Sequence, residues 1–124
     1  MKELTKSEEQ IMQILWDRGP SFVNDIIEMM PEPKPAYNTV STIVRILEKK
    51  GFVDHKAYGK TYEYFTLVSK EEYKEGSLNK LVDNYFDKSY KKLVSFFAKD
   101  ENISKKDLEE MKKMIEEEIK KSKD

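Results

Sequence analysis

Asn38, Thr39, Ser41, Thr42, Arg45 and Lys49 are side chains of the types that hydrogen-bond to base edges and phosphate oxygens. They fall within PAYNTVSTIVRILEKKGF, Pro35 to Phe52. Here Val40, Ile43, Val44 and Leu47 recur at helical spacing, so Asn38, Ser41, Thr42, Arg45 and Lys49 lie on the opposite side of one helix. A merely solvated face would more often carry Glu and Lys. The charge nearby supports an anionic partner: between Lys34 and Tyr62 six basic residues (Lys34, Arg45, Lys49, Lys50, Lys56, Lys60) stand against two acidic ones (Glu48, Asp54). The whole chain has a net charge of -1, so the excess is local, as phosphate binding requires. Lys56 and Lys60 are candidates for further contacts to a phosphate backbone.

Other chemistry is poorly supplied. Without cysteine there are no disulfides, thiolate metal sites or cysteine nucleophiles, and the single His55 cannot form a histidine cluster. No carboxylate pair, nucleophile–base pair or glycine-rich phosphate loop stands out, so we expect neither an enzyme nor a bound metal or cofactor. No apolar run reaches the roughly 18 to 20 residues of a membrane span, and MKELTKSEEQ lacks a signal peptide's apolar core. The expected location is the cytoplasm, without membrane association.

The elements that position these side chains are legible from caps and breakers. Thr5-Lys6-Ser7-Glu8 is a capping box opening a helix with apolar Ile11, Met12, Ile14 and Leu15, stopped by Gly19-Pro20. A short second helix is expected after Ser21 as N-cap, with Val23, Ile26, Ile27 and Met30 apolar; the prolines at 31, 33 and 35 end it. The third helix is the one above, stopped by Gly51. Phe52 to Tyr58, Gly59-Lys60 and Thr61 to Leu67 form a β-hairpin pattern. Ser69-Lys70-Glu71-Glu72 is a second capping box, and the rest reads as helix with breaks near Asp87-Lys88 and Asp100-Glu101-Asn102.

The expected fold is therefore mainly α: a winged helix-turn-helix domain of three helices plus a β-hairpin wing over residues 1–68, then a helical dimerisation domain over 69–124. In the second part Leu78, Leu81, Val82, Tyr85 and Phe86 form one apolar stripe. Leu93, Val94, Phe96 and Phe97 form another, and Leu108, Met111, Ile115 and Ile119 a third. A second copy of the chain would cover them.

Ile14-Leu15-Trp16 with Gly19-Pro20, Asn38-Thr39-Val40, Leu47 through Lys56 and the strand Tyr62-Glu63-Tyr64-Phe65 resemble the BlaI/MecI penicillinase-repressor family, as do LVSFFAKDENIS and the amphipathic last helix. The resemblance implies a homodimeric winged-helix repressor on a palindromic, inverted-repeat operator in double-stranded DNA. It also implies inactivation by proteolysis downstream of a membrane sensor responding to β-lactams. Two features depart from the family pattern: in the recognition helix Asn38 or Ser41 stands where a basic or longer side chain is usual and Ile46 where an Arg is usual, with Arg45 one place earlier, and Phe96-Phe97 stands where the cleaved Asn-Phe bond lies. Phe96-Phe97 is thus the candidate cleavage position.

Two other readings stay open at this point. One is a winged-helix protein-interaction module that never touches DNA. The other is a repressor sensing a small molecule in a dimer cleft lined by Tyr85, Tyr90 and Phe97. His55 is expected to play a structural or phosphate-contacting part in the hairpin, and Trp16 to anchor the first helix to it.

Overall fold

The structure is a computed structural model that describes residues 2–122. Its elements are α1 (Lys6–Arg18), β1 (Ser21–Phe22), α2 (Val23–Glu28), α3 (Tyr37–Lys49), β2 (Val53–Tyr58), β3 (Thr61–Thr66), α4 (Lys70–Tyr85), α5 (Tyr90–Ala98) and α6 (Lys105–Lys121). The chain divides into two units, Met1–Ser77 and Leu78–Asp124.

Local signals explain most element boundaries. At α1 the Thr5 hydroxyl accepts from Glu8 N at 3.2 Å while Glu8 Oε1 accepts from Thr5 N at 2.8 Å, so two otherwise unsatisfied donors are paired. Ser69 and Glu72 repeat this exchange at the start of α4. The hairpin tip is Gly59-Lys60 between β2 and β3, with φ +63° at Gly59, the left-handed value that glycine adopts without steric cost. Asp87 and Lys88, at φ +50° and +61°, end the run of α4. Ser89 and Ser104 then cap α5 and α6 through their hydroxyls.

One element differs from the sequence expectation. Ser21 does not cap α2. It belongs to a two-residue strand pairing Ser21 with Tyr64 and Phe22 with Glu63, which gives a three-stranded antiparallel sheet of order β1-β3-β2. The reason is that the Ser21 hydroxyl is already used: it donates to Gly19 O (2.8 Å) and accepts from Arg18 Nε (3.1 Å). Phe22 takes the N-cap position and its N–H is accepted by Asp25 Oδ2.

The core of the first unit is built from Ile11, Met12, Leu15, Ile26, Val40, Val44, Leu47, Phe52, Val53 and Tyr64, all buried. Val40, Val44 and Leu47 are fully covered, which fixes the inward side of α3 and so the direction its other side faces. Trp16 joins α1 to the segment after the hairpin, as its Nε1 donates to Val68 O at 2.9 Å and its ring lies 5.7 Å from that of Tyr73. Tyr73 also meets Phe52 edge-on, so the first turns of α4 pack with the first unit.

In the second unit Phe86 and Phe96 meet edge-on at 5.5 Å, and Lys92 Nζ bonds Asp87 at 2.7 Å. The hydroxyl of Tyr90 donates to Asn79 Oδ1. No residue of α5 or α6 is buried.

Candidate nucleic-acid interface

The outer side of α3 carries Asn38, Thr39, Thr42, Arg45 and Lys49, all exposed, with Ile46 (39% exposed) beside them. Thr42 closes its own local bond, Oγ1 to Asn38 O at 2.8 Å. Ser41 is a correction to the outward-facing set: it is only 9% exposed, and its hydroxyl accepts from Arg45 Nη2 at 3.0 Å. It sits on the flank of the stripe, where the Arg45 side chain covers it, so it orients Arg45.

The basic residues separate into two groups. Lys34 Nζ donates to the carbonyls of Ile27, Glu28 and Met30, capping the C-terminal end of α2. Lys50 Nζ bonds Glu8 Oε1 at 2.7 Å and Glu3 O at 3.1 Å. Both are committed to the fold. Lys49 on α3 and Lys60 at the wing tip are exposed and make no ion pair or side-chain hydrogen bond among the described residues. Lys56 reaches over the Tyr58 ring at 5.3 Å. Its cross-strand partner is Glu63, and alternation along the strand places it on the sheet face opposite to Val53 and His55.

The junction of α3 and the wing is the feature that sequence reading missed. His55 Nδ1 lies 2.5 Å from Glu48 Oε1 and 3.9 Å from Asp54 Oδ1. The imidazole stacks on Tyr62 (4.2 Å, 20°) and leans on Tyr64 (5.7 Å). Burial raises the Tyr64 phenol above its ordinary pKa, and the nearby Glu48 carboxylate adds to this while Arg45 opposes it. The only sequence signal was a lone histidine seven residues after a glutamate, too common a pattern to single out.

The remaining predicted residues lie in the second unit. Leu78, Leu81, Tyr85 and Ile115 are exposed, as are Val94, Phe96, Met114 and Ile119. Phe86, Leu93, Phe97, Leu108 and Met111 are half-buried. Val82 is buried within the chain at 1%, so it offers no surface to a partner. At the candidate cleavage position Phe96 is 66% exposed and Phe97 half-buried, both inside α5. No helix among the described residues is long and apolar enough to cross a membrane.

Three helices, a hairpin, and an exposed polar side on the third helix define a winged-helix protein. The penicillinase repressor family model matches residues 4–117, and the chain belongs to that family of transcriptional repressors. It is 27% identical over 114 residues to the methicillin resistance regulatory protein MecI of Staphylococcus aureus (strain N315), covering 91% of this chain and 93% of that one. The penicillinase repressor of Bacillus licheniformis is 19% identical over 116 residues, 93% of this chain and 91% of its own. Among solved structures, a MarR family protein from Bacillus stearothermophilus shares the fold at a TM-score of 0.50 and 14% identity, covering 97% of this chain and 76% of that one.

Proposed function

We propose that the protein is a homodimeric, sequence-specific DNA-binding repressor of the cytoplasm. It would occupy an inverted-repeat operator through two copies of α3 and release it when the dimer is disrupted. The observation that carries this reading is the outer side of α3. Asn38, Thr39, Thr42 and Arg45 are exposed there together, and Lys49 and the wing-tip Lys60 have no ion-pair partner among the described residues. Side chains of this kind on a rigid helix suit the major groove, and free lysines at its end and on the wing suit the flanking phosphates.

The dimer reading rests on the second unit. Leu78, Leu81 and Tyr85 on α4, Val94 and Phe96 on α5 and Met114, Ile115 and Ile119 on α6 are large apolar side chains left exposed in a single chain. A second copy is the economical cover, and two-fold symmetry sets two recognition helices on one duplex face about 34 to 36 Å apart. Linkage of two half-site contacts multiplies affinity by about 10² to 10⁴, so loss of the dimer ends repression without altering α3. A protease linked to a membrane sensor, cutting near Phe96-Phe97, would act in this way by detaching α6.

The test is selection of bound duplexes from a random pool, followed by sedimentation of the protein alone and with the selected DNA. Enrichment of an inverted repeat bound by two chains is the expected result. A monomer in solution, or no enrichment above non-specific binding, would sink the proposal.

A further inference from the structure

Glu48, Asp54 and His55 each offer a ligand atom, and these atoms lie within 4.8 Å of one another at the junction of α3 and the wing. Ring contacts from outside the trio and one backbone bond within it help to set their orientations. Stacking on Tyr62 and a tilted contact with Tyr64 hold the imidazole. The backbone N–H of His55 donates to Asp54 Oδ1 at 2.8 Å, turning that carboxylate back along the strand toward the ring. Glu48 is the penultimate residue of α3, where the helix end carries partial negative charge that favours a cation.

The charge balance is a separate observation. Neither Glu48 nor Asp54 forms a salt bridge with a lysine or arginine among the described residues; each pairs with His55 alone. The neighbouring Lys50 is turned away to Glu8. Two carboxylates share one imidazole at the end of α3, where Glu48 stands between Arg45 and Lys49 in the sequence. These two carboxylates repel phosphate, and a cation bound between them would offset that repulsion.

We propose that Glu48, Asp54 and His55 bind a divalent first-row transition metal such as Zn²⁺, and that its charge strengthens DNA binding by this surface. The second clause rests on the DNA-binding reading above. An imidazole with two carboxylates suits Zn²⁺, Co²⁺ or Ni²⁺ better than Mg²⁺ or Ca²⁺, which prefer oxygen alone. Metal–ligand bonds of about 2.0 to 2.2 Å put donor atoms roughly 3.3 Å apart in a tetrahedron. Glu48 and His55, now 2.5 Å apart, would separate slightly, and Asp54, now 3.9 Å from the ring nitrogen, would close in. The side chains are 29 to 56% exposed, so water completes the coordination.

Zn²⁺ is titrated into the full chain without DNA, against a competing chelating dye, and binding of one ion per chain is expected. His55 is the only histidine, so its ring ¹⁵N resonances report the site without ambiguity, and Nδ1 should shift on binding. E48Q and D54N should each weaken Zn²⁺ binding by about tenfold or more with circular dichroism unchanged. An unmoved Nδ1 resonance, or wild-type Zn²⁺ affinity in the E48Q/D54N double variant, overturns the site. With the selected operator, Zn²⁺ should raise affinity several-fold for the wild type and not for the double variant. Zn²⁺ bound at His55 with unchanged operator affinity overturns the coupling. Failure to bind any DNA, with or without metal, refutes the repressor interface instead and leaves the titration result standing.

Discussion

Lys50 Nζ lies 2.7 Å from Glu8 Oε1 and 3.1 Å from Glu3 O, tying the C-terminal end of α3 to the N-terminal turn of α1 across 42 residues of sequence. Glu8 is almost wholly covered and also completes the cap of α1, so one carboxylate serves a helix start and a tertiary bridge. The pose of α3 therefore depends on a pair that never needs to touch a ligand.

Lys50→Ala should cost about 1 to 3 kcal/mol of unfolding free energy, below the full value for a buried pair because Lys50 keeps 24% of its side chain exposed. Burial alone would raise the Glu8 carboxyl, but Lys50 and the Thr5 N–H together hold it below its ordinary pKa. Its contribution is then fully present above the unfolded-state value of about 4.3 and is lost as pH falls through the lower folded value. Urea titrations between neutral pH and acid should show that loss in the wild type and a flatter profile in Lys50→Ala.

Arg45→Ala should cost about 1 to 3 kcal/mol on the selected operator and clearly less on random DNA. Ser41→Ala should cost less than Arg45→Ala, since Ser41 acts by holding the guanidinium. Equal losses on both kinds of DNA in a fluorescence-anisotropy titration would make Arg45 a phosphate contact.

At the wing, Lys60→Ala should lower the slope of log affinity against log salt by roughly one unit. Lys56→Ala should change it less, because Lys56 lies across from Glu63 and reaches over the Tyr58 ring. An unaltered slope for Lys60→Ala would put the tip away from DNA.

A chain ending at Ser77 should fold, sediment as a monomer and bind operator weakly. One ending at Leu67 should be less stable, because it loses the Trp16 bond to Val68 O and the Tyr73 ring packed on Trp16 and Phe52. Thermal melts of the two would separate them, and a dimeric 1–77 chain would refute the assignment of the dimer contacts to the second unit.

An engineered protease site at Ser95-Phe96, cut in the purified protein, should release α6 and reduce operator affinity by about the 10² to 10⁴ of a lost bivalent contact. Cleaved protein that still sediments as a dimer and binds undiminished would show that repression ends by another route.

Local rules reached much of this molecule from its amino acids alone. The spacing of Val40, Val44 and Leu47 specified which side of α3 is buried, because helical periodicity is a property of neighbouring residues. Thr5-Glu8 and Ser69-Glu72 announced helix starts for the same reason, and Gly59 marked the hairpin tip. Tertiary structure decided what happens between segments. Six basic residues entered the charge count from the sequence, and packing committed two of them, Lys34 to α2 carbonyls and Lys50 to Glu8, leaving Lys49 and Lys60 exposed and without an ion pair among the described residues. Strand β1 was hidden because two residues show no alternation and owe their conformation to pairing with β3, more than 40 residues later. Glu48 and His55 met only because α3 packs against β2. Such contacts depend on how the chain returns on itself, and no short-range pattern of side chains encodes that.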